Sequence, residues 1–248
     1  MSQPTTEPEG NAAAASEISG PPSVYRCVLC AAPLVEVDTV AACSFCGQET
    51  PASYLCPHGH HVCEDCQLAG PLEAIERVCA GARESDPGRI VNRIMQHPAI
   101  VMHGPAHHAM VAPAVLAALG NSGQRPLKAG RLKAAIARTA DIPISVCGTR
   151  GDCGAAASVG ALASILTGAT YLKDRERSLA LRATAETLQA IAAAGGPRCC
   201  KQSVYLALET AVDFLRRELG LDLPLTIRCE FAARNDECKR ERCAYYEP

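Results

Sequence analysis

The chain has 248 residues, of which 48% are hydrophobic, and its formal net charge is −2. A nearly neutral chain without a basic run has no electrostatic basis for binding nucleic acid. There is no Trp, and Ala, Leu and Val supply much of the hydrophobicity, which favours a mainly α fold with small side chains inside over an aromatic-rich β-sandwich.

The amino terminus predicts neither a signal peptide nor a membrane anchor. Residues 1–22 are rich in Pro, Gly, Ser, Ala and Glu and have no basic segment followed by a long apolar core, so we expect a disordered tail. No run approaches 18 uninterrupted apolar residues, so the sequence predicts no transmembrane helix. We therefore expect a cytoplasmic protein, in which the 15 cysteines indicate metal ligands or redox groups rather than disulfides.

Residues 23–70 contain seven cysteines and three histidines among short apolar runs, which predicts a small module organised by metal. Two CxxC pairs, CVLC and CSFC, are typical of tetrahedral zinc sites. The string CPHGHHVCEDC adds a third CxxC, Cys56 and a histidine, for which His60 is preferred to His58 or His61. The expected ligands of one or two structural zinc ions are Cys27, Cys30, Cys43, Cys46, Cys56, His60, Cys63 and Cys66.

The spacing leaves open whether these ligands are shared sequentially or in a crossed arrangement. The string HGHHVCEDC resembles the central ligands of a RING finger, which implies a role in ubiquitin transfer, although no further CxxC follows Cys66 as that pattern requires. Because the predicted coordination is closed, we expect the module to hold structure or dock a protein partner.

Residues 71–248 have a helical texture and are predicted to form one helical domain. Asp86 is a candidate N-cap with Pro87 at the first helical position. Only residues 223–231 look strand-like. The predicted helices cover 71–82, 86–98, 105–120, 127–140, 152–168, 174–196 and 200–220.

A second group of candidate residues begins at MHGPAHH. His103, His107 and His108 could supply a general base or metal ligands, although packed or solvated histidines are the alternative. Pro105 is suited to a first helical turn, which would leave backbone N–H groups beside Gly104 to bind an anion.

Seven further cysteines lie in three segments of this domain. The pair Cys199 and Cys200 stands at a predicted helix start between Arg198 and Lys201, where the thiol pKa values should be lowered. Another segment leads into a helix of mainly Gly and Ala, which indicates close backbone approach or a buried ligand. The candidate iron–sulfur ligands are Cys147, Cys153, Cys199, Cys200, Cys229, Cys238 and Cys243.

The blocks CPHGHHVC, MHGPAHHAMV, CGTRGDCGAA, GGPRCCK and the cysteine-rich carboxyl terminus resemble a cysteine-rich family of unknown function. That family occurs mainly in anaerobic microbes and is sometimes fused to methyltransferase domains. The resemblance covers nearly everything after residue 23 and implies no established reaction.

Residues 100–210 are also similar to the iron–sulfur L-serine dehydratases and L-cysteine desulfidases. The resemblance implies a [4Fe–4S] cluster held by three cysteines, with the fourth iron open to the leaving group. Carried over, one ligand is Cys147 or Cys153 and another is Cys199 or Cys200. The sequence departs from those families at Arg198, where they have lysine, and lacks their serine-rich substrate loop.

These features predict a metal-dependent enzyme, with iron–sulfur chemistry, that performs an elimination on a small anionic metabolite. The histidines would act as acid or base, and Gly104, Arg198 and Lys201 would bind the substrate. Two alternatives stay open: a zinc-only binding protein, and a carrier that transfers metal or sulfur through Cys199 and Cys200. The alanine-rich helices could also pack across subunits of a homo-oligomer.

Overall fold

The computed structural model describes residues 22–247. The expected tail, residues 1–22, lies outside the described residues apart from Pro22, where a three-stranded antiparallel sheet begins. Its strands, in the spatial order β1-β2-β3, are β1 (Pro22–Arg26), β2 (Pro33–Ala42) and β3 (Glu49–Leu55). We do not predict this sheet from the sequence. Although β2 contains the alternating stretch VEVD, its only buried side chain is Val35, and that of β3 is Ala52.

The rest of the described chain is mostly helical, which confirms the predicted fold class. No helix in the part described is long and apolar enough to cross a membrane. The α-helices are α1 (Glu64–Leu68), α2 (Pro71–Gly81), α3 (Pro87–Gln96), α4 (Val111–Asn121), α5 (Arg131–Ala137), α6 (Val146–Thr149), α7 (Gly154–Thr167), α8 (Asp174–Ala194) and α9 (Cys200–Leu219).

The helix predicted over 105–120 is interrupted. Pro105–His108 form a 3-10 turn, and α4 begins only at Val111. The carbonyl of His108 accepts from Thr139 Oγ1 at 2.9 Å, and the amide of Ala112 donates to Ser158 Oγ at 3.0 Å. These side chains form hydrogen bonds with backbone groups where the 3-10 turn joins α4. The histidines therefore lie in the turn and are not part of α4.

The small-residue helix α7 packs closely against α8, as the sequence predicts. A Cβ added at Gly160 would lie 2.0 Å from Thr184 Oγ1 and 2.9 Å from the carbonyl oxygen of Ala180. Only glycine permits this approach, which lets α7 occupy the middle of the helical core.

The prediction of a strand over 223–231 is wrong. Within residues 22–247 the segment pairs with no strand, and it instead runs along α3. Asp86 caps α3 by accepting from the amides of Gly88 and Arg89, and its second oxygen accepts from the amide of Thr226 at 3.0 Å. Asn92 Nδ2 donates to the carbonyl of Arg228 at 2.8 Å. The alternating side chains therefore face a helix, and these hydrogen bonds fix the segment that carries Cys229.

The cysteine-rich module packs directly on the helices. Phe45 is 1% exposed in the same core as the helices, and its ring centroid lies 4.5 Å from that of His97. A Cβ at Gly81 would lie 1.9 Å from the carbonyl oxygen of Cys46. Glycine at the end of α2 thus allows the CSFC turn to rest on that helix.

Candidate metal centres

Two groups of potential ligands form in the amino-terminal module, and within each the ligand atoms lie within 4.8 Å of one another. The chain alternates between them, because the first and third pairs form one group and the second and fourth form the other. The crossed arrangement, which spacing leaves open, is therefore the one observed. The first group is Cys27, Cys30, Cys56 and His60; the second is Cys43, Cys46, Cys63 and Cys66.

The first group lies near the surface. Cys30 Sγ is 3.4 Å from Cys56 Sγ, and Cys27 Sγ is 3.5 Å from His60 Nδ1. His58 Nδ1 lies beside the group, 3.4 Å from Cys30 Sγ, whereas His61 Nε2 is turned away to Thr50 Oγ1 at 2.9 Å.

The second group is buried, with Cys66 fully inaccessible, and belongs to the helical core. Burial raises the pKa of the Cys43 thiol, but the backbone amides of Cys46, Cys63 and Phe45 outweigh it and bring that pKa down to about 7. Burial raises the pKa of Cys66.

The first group shows the same division. A hydrogen bond from His58 is the main cause that lowers the pKa of Cys30 to about 6, whereas burial raises that of Cys56 to about 11. Neighbouring thiolates repel one another, so in each group only a bound cation would let every cysteine ionise together. The residues thus fit a metal ion such as zinc.

A cavity of about 310 Å³ lies in the helical region and is named the large cavity here only in contrast to a smaller neighbour that shares Cys199 with it. It is bounded by the 3-10 turn, the start of α7, the end of α8 and the start of α9. Gly195 and Gly196, both with positive φ, turn the chain from α8 into α9 along its wall. The wall carries the chemical groups Cys147, Cys153, Cys199, Cys200, His107, His108, Arg198 and Lys239.

A smaller cavity of about 20 Å³ gathers the remaining cysteines. Cys199 reaches both cavities, so the seven predicted cysteines are divided between two places rather than collected at one. The lining of the smaller cavity includes Cys199, Cys229, Cys238, Cys243, Lys239, Tyr205, Tyr245 and Tyr246.

His108 has one ring nitrogen fixed and one available. Its Nδ1–H donates to the carbonyl of Ile142 at 3.1 Å, and burial lowers its pKa. Its Nε2 has no hydrogen bond to any residue that the structure describes. The ring lies against Gly154, where an added Cβ would be 2.2 Å from the imidazole. The glycine of the DCGAAA segment is therefore required to place this histidine at the start of α7.

His107 is enclosed, with 1% of its surface exposed. Its Nδ1–H donates to the carbonyl of Gly104 at 3.1 Å, and its Nε2 lies 3.5 Å from Lys201 Nζ. Burial, together with the charge of Lys201, lowers its pKa to about 3. The imidazole is therefore neutral near pH 7 and accepts a proton poorly.

The structure places His103 outside the wall of the large cavity. Its Nε2–H donates to Asn235 Oδ1 at 3.1 Å, and its Nδ1 accepts from the amide of Cys200 at 3.4 Å. Both nitrogens are thus used to tie the start of α9 to the carboxyl-terminal segment.

The predicted substrate-binding residues are separated. Arg198 lies on the cavity wall, 3.6 Å from Glu237. Lys201 is 2% exposed and lies behind the wall, where Nζ donates to the Met102 carbonyl at 2.6 Å and stands 4.8 Å from the centre of the Phe231 ring. The amide of Gly104 faces the sulfur of Cys200, so its predicted anion site is turned toward a thiol of the chain itself.

The expectation of a lowered pKa at Cys200 is wrong. Burial raises the pKa of this thiol and outweighs the Gly104 amide and the charge of Arg198. Burial also raises the pKa values of Cys153 and Cys229. The helix terminus therefore does not make a reactive thiolate here unless another cation is bound.

Three polar wall residues, Gln202, Ser203 and Lys239, are not predicted from the sequence. The helical spacing of Gln202 and Ser203 from the cysteine pair is a usable signal, since residues three apart share a face. Lys239 reaches the wall by donating to the Gly195 carbonyl and to Gln202 Oε1 at 2.6 Å. No local pattern indicates that contact.

Comparison with known proteins gives a family and no activity. No curated protein and no solved structure matches the chain. The model of a family of unknown function, DUF5714, matches residues 75–246, a range that begins after both amino-terminal ligand groups and contains both cavities. The chain therefore belongs to this family of unknown function.

Proposed function

We propose that the large cavity is the active site of an iron–sulfur enzyme that performs an elimination on a small anionic metabolite. The observation that supports this proposal is the meeting of Cys147, Cys153 and Cys200 with His108 and Arg198 on one wall. Thiols, a base and a cation are the groups that such a reaction requires. The space of about 310 Å³ suits a small metabolite.

The thiols are suited to hold an anionic cofactor. Cys153 is the N-cap of the 14-residue helix α7, and Cys200 is the first residue of the 20-residue helix α9. Amides of Ala155 and Ala156 face Cys153, and helix N-termini favour negative charge. A cluster held by three cysteines would supply an iron that acts as a Lewis acid on a hydroxyl or thiol leaving group.

The remaining groups have separate tasks. Arg198 is exposed, and among the described residues its one ion pair is a 3.6 Å contact with Glu237, so it is free to bind a substrate carboxylate through two hydrogen bonds. His108 Nε2 accepts a proton from the carbon next to the carboxylate. The electron pair of that C–H bond forms the new C=C bond, and the C–O or C–S bond breaks with its pair on the leaving group.

The first test is metal analysis of the full chain purified without air and with iron supplied. We expect iron, sulfide and visible absorbance, and less of each in Cys153→Ser and Cys200→Ser. Cys79→Ser, which changes a buried cysteine on α2 away from both cavities, is the matched control and should keep them. A colourless protein that holds only zinc would contradict the proposal and favour the zinc-only alternative.

The second test uses L-serine and L-cysteine as probes, with release of ammonia or sulfide as the measurement. We expect His108→Gln to keep its iron and to lower kcat by roughly 10²–10⁴-fold, as loss of a general base does. Equal turnover in the variant would exclude His108 as the base. Sulfur transfer without elimination, abolished by Cys199→Ser with Cys200→Ser, would favour the carrier alternative.

A further inference from the structure

We propose that the small cavity is a second, closed metal centre, in which four thiolates hold an iron–sulfur cluster of their own. The four residues, named here the tail quartet, are Cys199, Cys229, Cys238 and Cys243. This centre takes no substrate, so it stands or falls independently of the proposed reaction.

Three separate pieces of chain bring the tail quartet together. Cys199 is the N-cap of α9, and Cys229 lies in the extended segment that runs along α3. Cys238 and Cys243 stand on either side of the 3-10 turn Arg240–Arg242. All four line one hole of about 20 Å³. Convergence of four cysteines from such distant positions is difficult to explain by packing alone.

The separation of the four sulfurs favours a cluster over a single ion. In the amino-terminal module the ligand atoms of each group lie within 4.8 Å of one another, whereas none of the tail quartet belongs to such a group among the described residues. Zinc–sulfur bonds of about 2.3 Å bring four sulfurs to roughly 3.8 Å apart and leave no hole. A cluster of iron and sulfide is larger, so its cysteines stand further apart.

A hole of about 20 Å³ is smaller than such a cluster, as expected for a coordinated group. Metal–sulfur bonds are much shorter than the van der Waals contacts that define the edge of a cavity. The cysteine sulfurs would therefore overlap the space that the cluster occupies.

The charged side chains around the tail quartet also favour a cluster. Lys201 is 2% exposed and Lys239 is 7% exposed, and neither forms an ion pair with a carboxylate in the described part of the chain. Lys239 lines the hole, and the thiols of Cys199 and Cys229 are near Lys201. Four thiolates on a core of charge 2+ carry a net charge of about −2, which the two buried cations would balance.

Aromatic rings complete the enclosure. The rings of Tyr205 and Tyr245 meet edge to face with centroids 5.2 Å apart. The Tyr205 hydroxyl donates to Asn92 Oδ1 and the Tyr245 hydroxyl to Glu209, both at 2.8 Å, and the Tyr205 hydroxyl also lies beside the thiol of Cys229. The ring edges thus shield the hole from water, which suits a fully ligated cluster.

The experiment compares two double variants of the full chain, purified without air and with iron supplied. Cys238→Ser with Cys243→Ser removes half of the tail quartet, and Cys147→Ser with Cys153→Ser is the counterpart in the large cavity. We expect the first to lose the iron and sulfide of the tail quartet, about four of each per chain, and the second to keep those and lose only metal held in the large cavity. Zinc content and far-UV circular dichroism, unchanged in both, show that the fold is intact.

Loss of one zinc ion rather than iron in the first variant would replace the cluster by a single ion and overturn the proposal, as would unchanged metal content. Retention of iron in the second variant supports the closed centre even if no elimination is ever found. If the first variant is insoluble, Cys243→Ser in the Cys147→Ser and Cys153→Ser background is used. In that variant the serine oxygen would replace the Cys243 thiolate as a ligand and should change the electron paramagnetic resonance spectrum of the reduced cluster. An unchanged spectrum would overturn the proposal.

Discussion

The two cysteine-rich regions of the molecule bring their ligands together by different means. In the amino-terminal module each pair comes from one short stretch, and turns and a small sheet suffice to place the atoms within 4.8 Å. Around the two cavities the cysteines come from segments as distant as Cys147 and Cys243. The first kind of site is built by local structure, whereas the second exists only when the helices have packed.

The surroundings differ as well. The buried amino-terminal group sits among apolar side chains such as Phe45, and backbone amides are what favour its thiolates. The cavity region adds two buried lysines, a neutral histidine and an arginine. A site that only holds structure needs few charged side chains. The additional cations therefore distinguish the cavity region from the amino-terminal module and favour binding of a negatively charged group there.

Removing a ligand from the buried amino-terminal group should have the greatest effect, because it tests whether that group binds a metal ion. Cys66→Ser should lose about one metal ion per chain and roughly 3–5 kcal/mol of free energy of unfolding, because the remaining thiolates stay buried without a full shell. Metal content and chemical denaturation measure both. Cys79→Ala, equally buried but not a ligand, should keep its metal and lose about 1 kcal/mol; equal losses would show that the group binds no ion.

Acid should act on the cavity region through His107. The unfolded chain binds a proton at this residue near pH 6.5, whereas the folded chain binds it only near pH 3, so stability is full above pH 6.5 and falls between these values. Below pH 6.5 the native chain should lose about 1.4 kcal/mol per pH unit more than His107→Gln does. Denaturation at several pH values gives both slopes, and parallel slopes would contradict the burial of a neutral His107.

The smallest expected effect tests how the cavity region depends on distant contacts. Asp86→Ala removes the cap of α3 and the hydrogen bond to the amide of Thr226, so we expect a loss of about 1–2 kcal/mol. The control is Asp213→Ala, because the ion pairs of Asp213 with two arginines are exposed. It should lower the free energy of unfolding by less than about 0.5 kcal/mol. Proteolysis should also cut the segment after α9 faster in Asp86→Ala, and an unchanged rate would show that this cap does not hold the segment.

Features that depend on neighbouring residues can be predicted from this sequence. The CxxC pairs, the cap at Asp86 with Pro87, and the small-residue helix α7 are all observed. Each arises from turn geometry, a backbone donor or side-chain size, which act over a few residues. The sequence also indicates that α9 starts at the cysteine pair, where the helix begins at Cys200.

Features that depend on tertiary packing cannot be read in this way. The apolar alternation of 223–231 predicts a strand, but its partner is α3. The alternate pairing of the amino-terminal ligands, the division of seven cysteines between two cavities and the burial of Lys201 all require knowing which segments meet. Burial also reverses the expected pKa shift of Cys200, because desolvation depends on neighbours that are distant in sequence.

Because Cys199 and Cys200 are adjacent, an insertion or deletion at this point would change which cavity each sulfur reaches. Cys199 is the extended N-cap and Cys200 the first helical residue, so the two side chains diverge: Cys199 lines both cavities, and Cys200 lines the larger one alone. One inserted residue would rotate one of the two sulfurs away from its site, whereas many substitutions elsewhere on α9 would leave both in place. The register of the chain here, more than the identity of its neighbours, determines whether two centres can exist side by side.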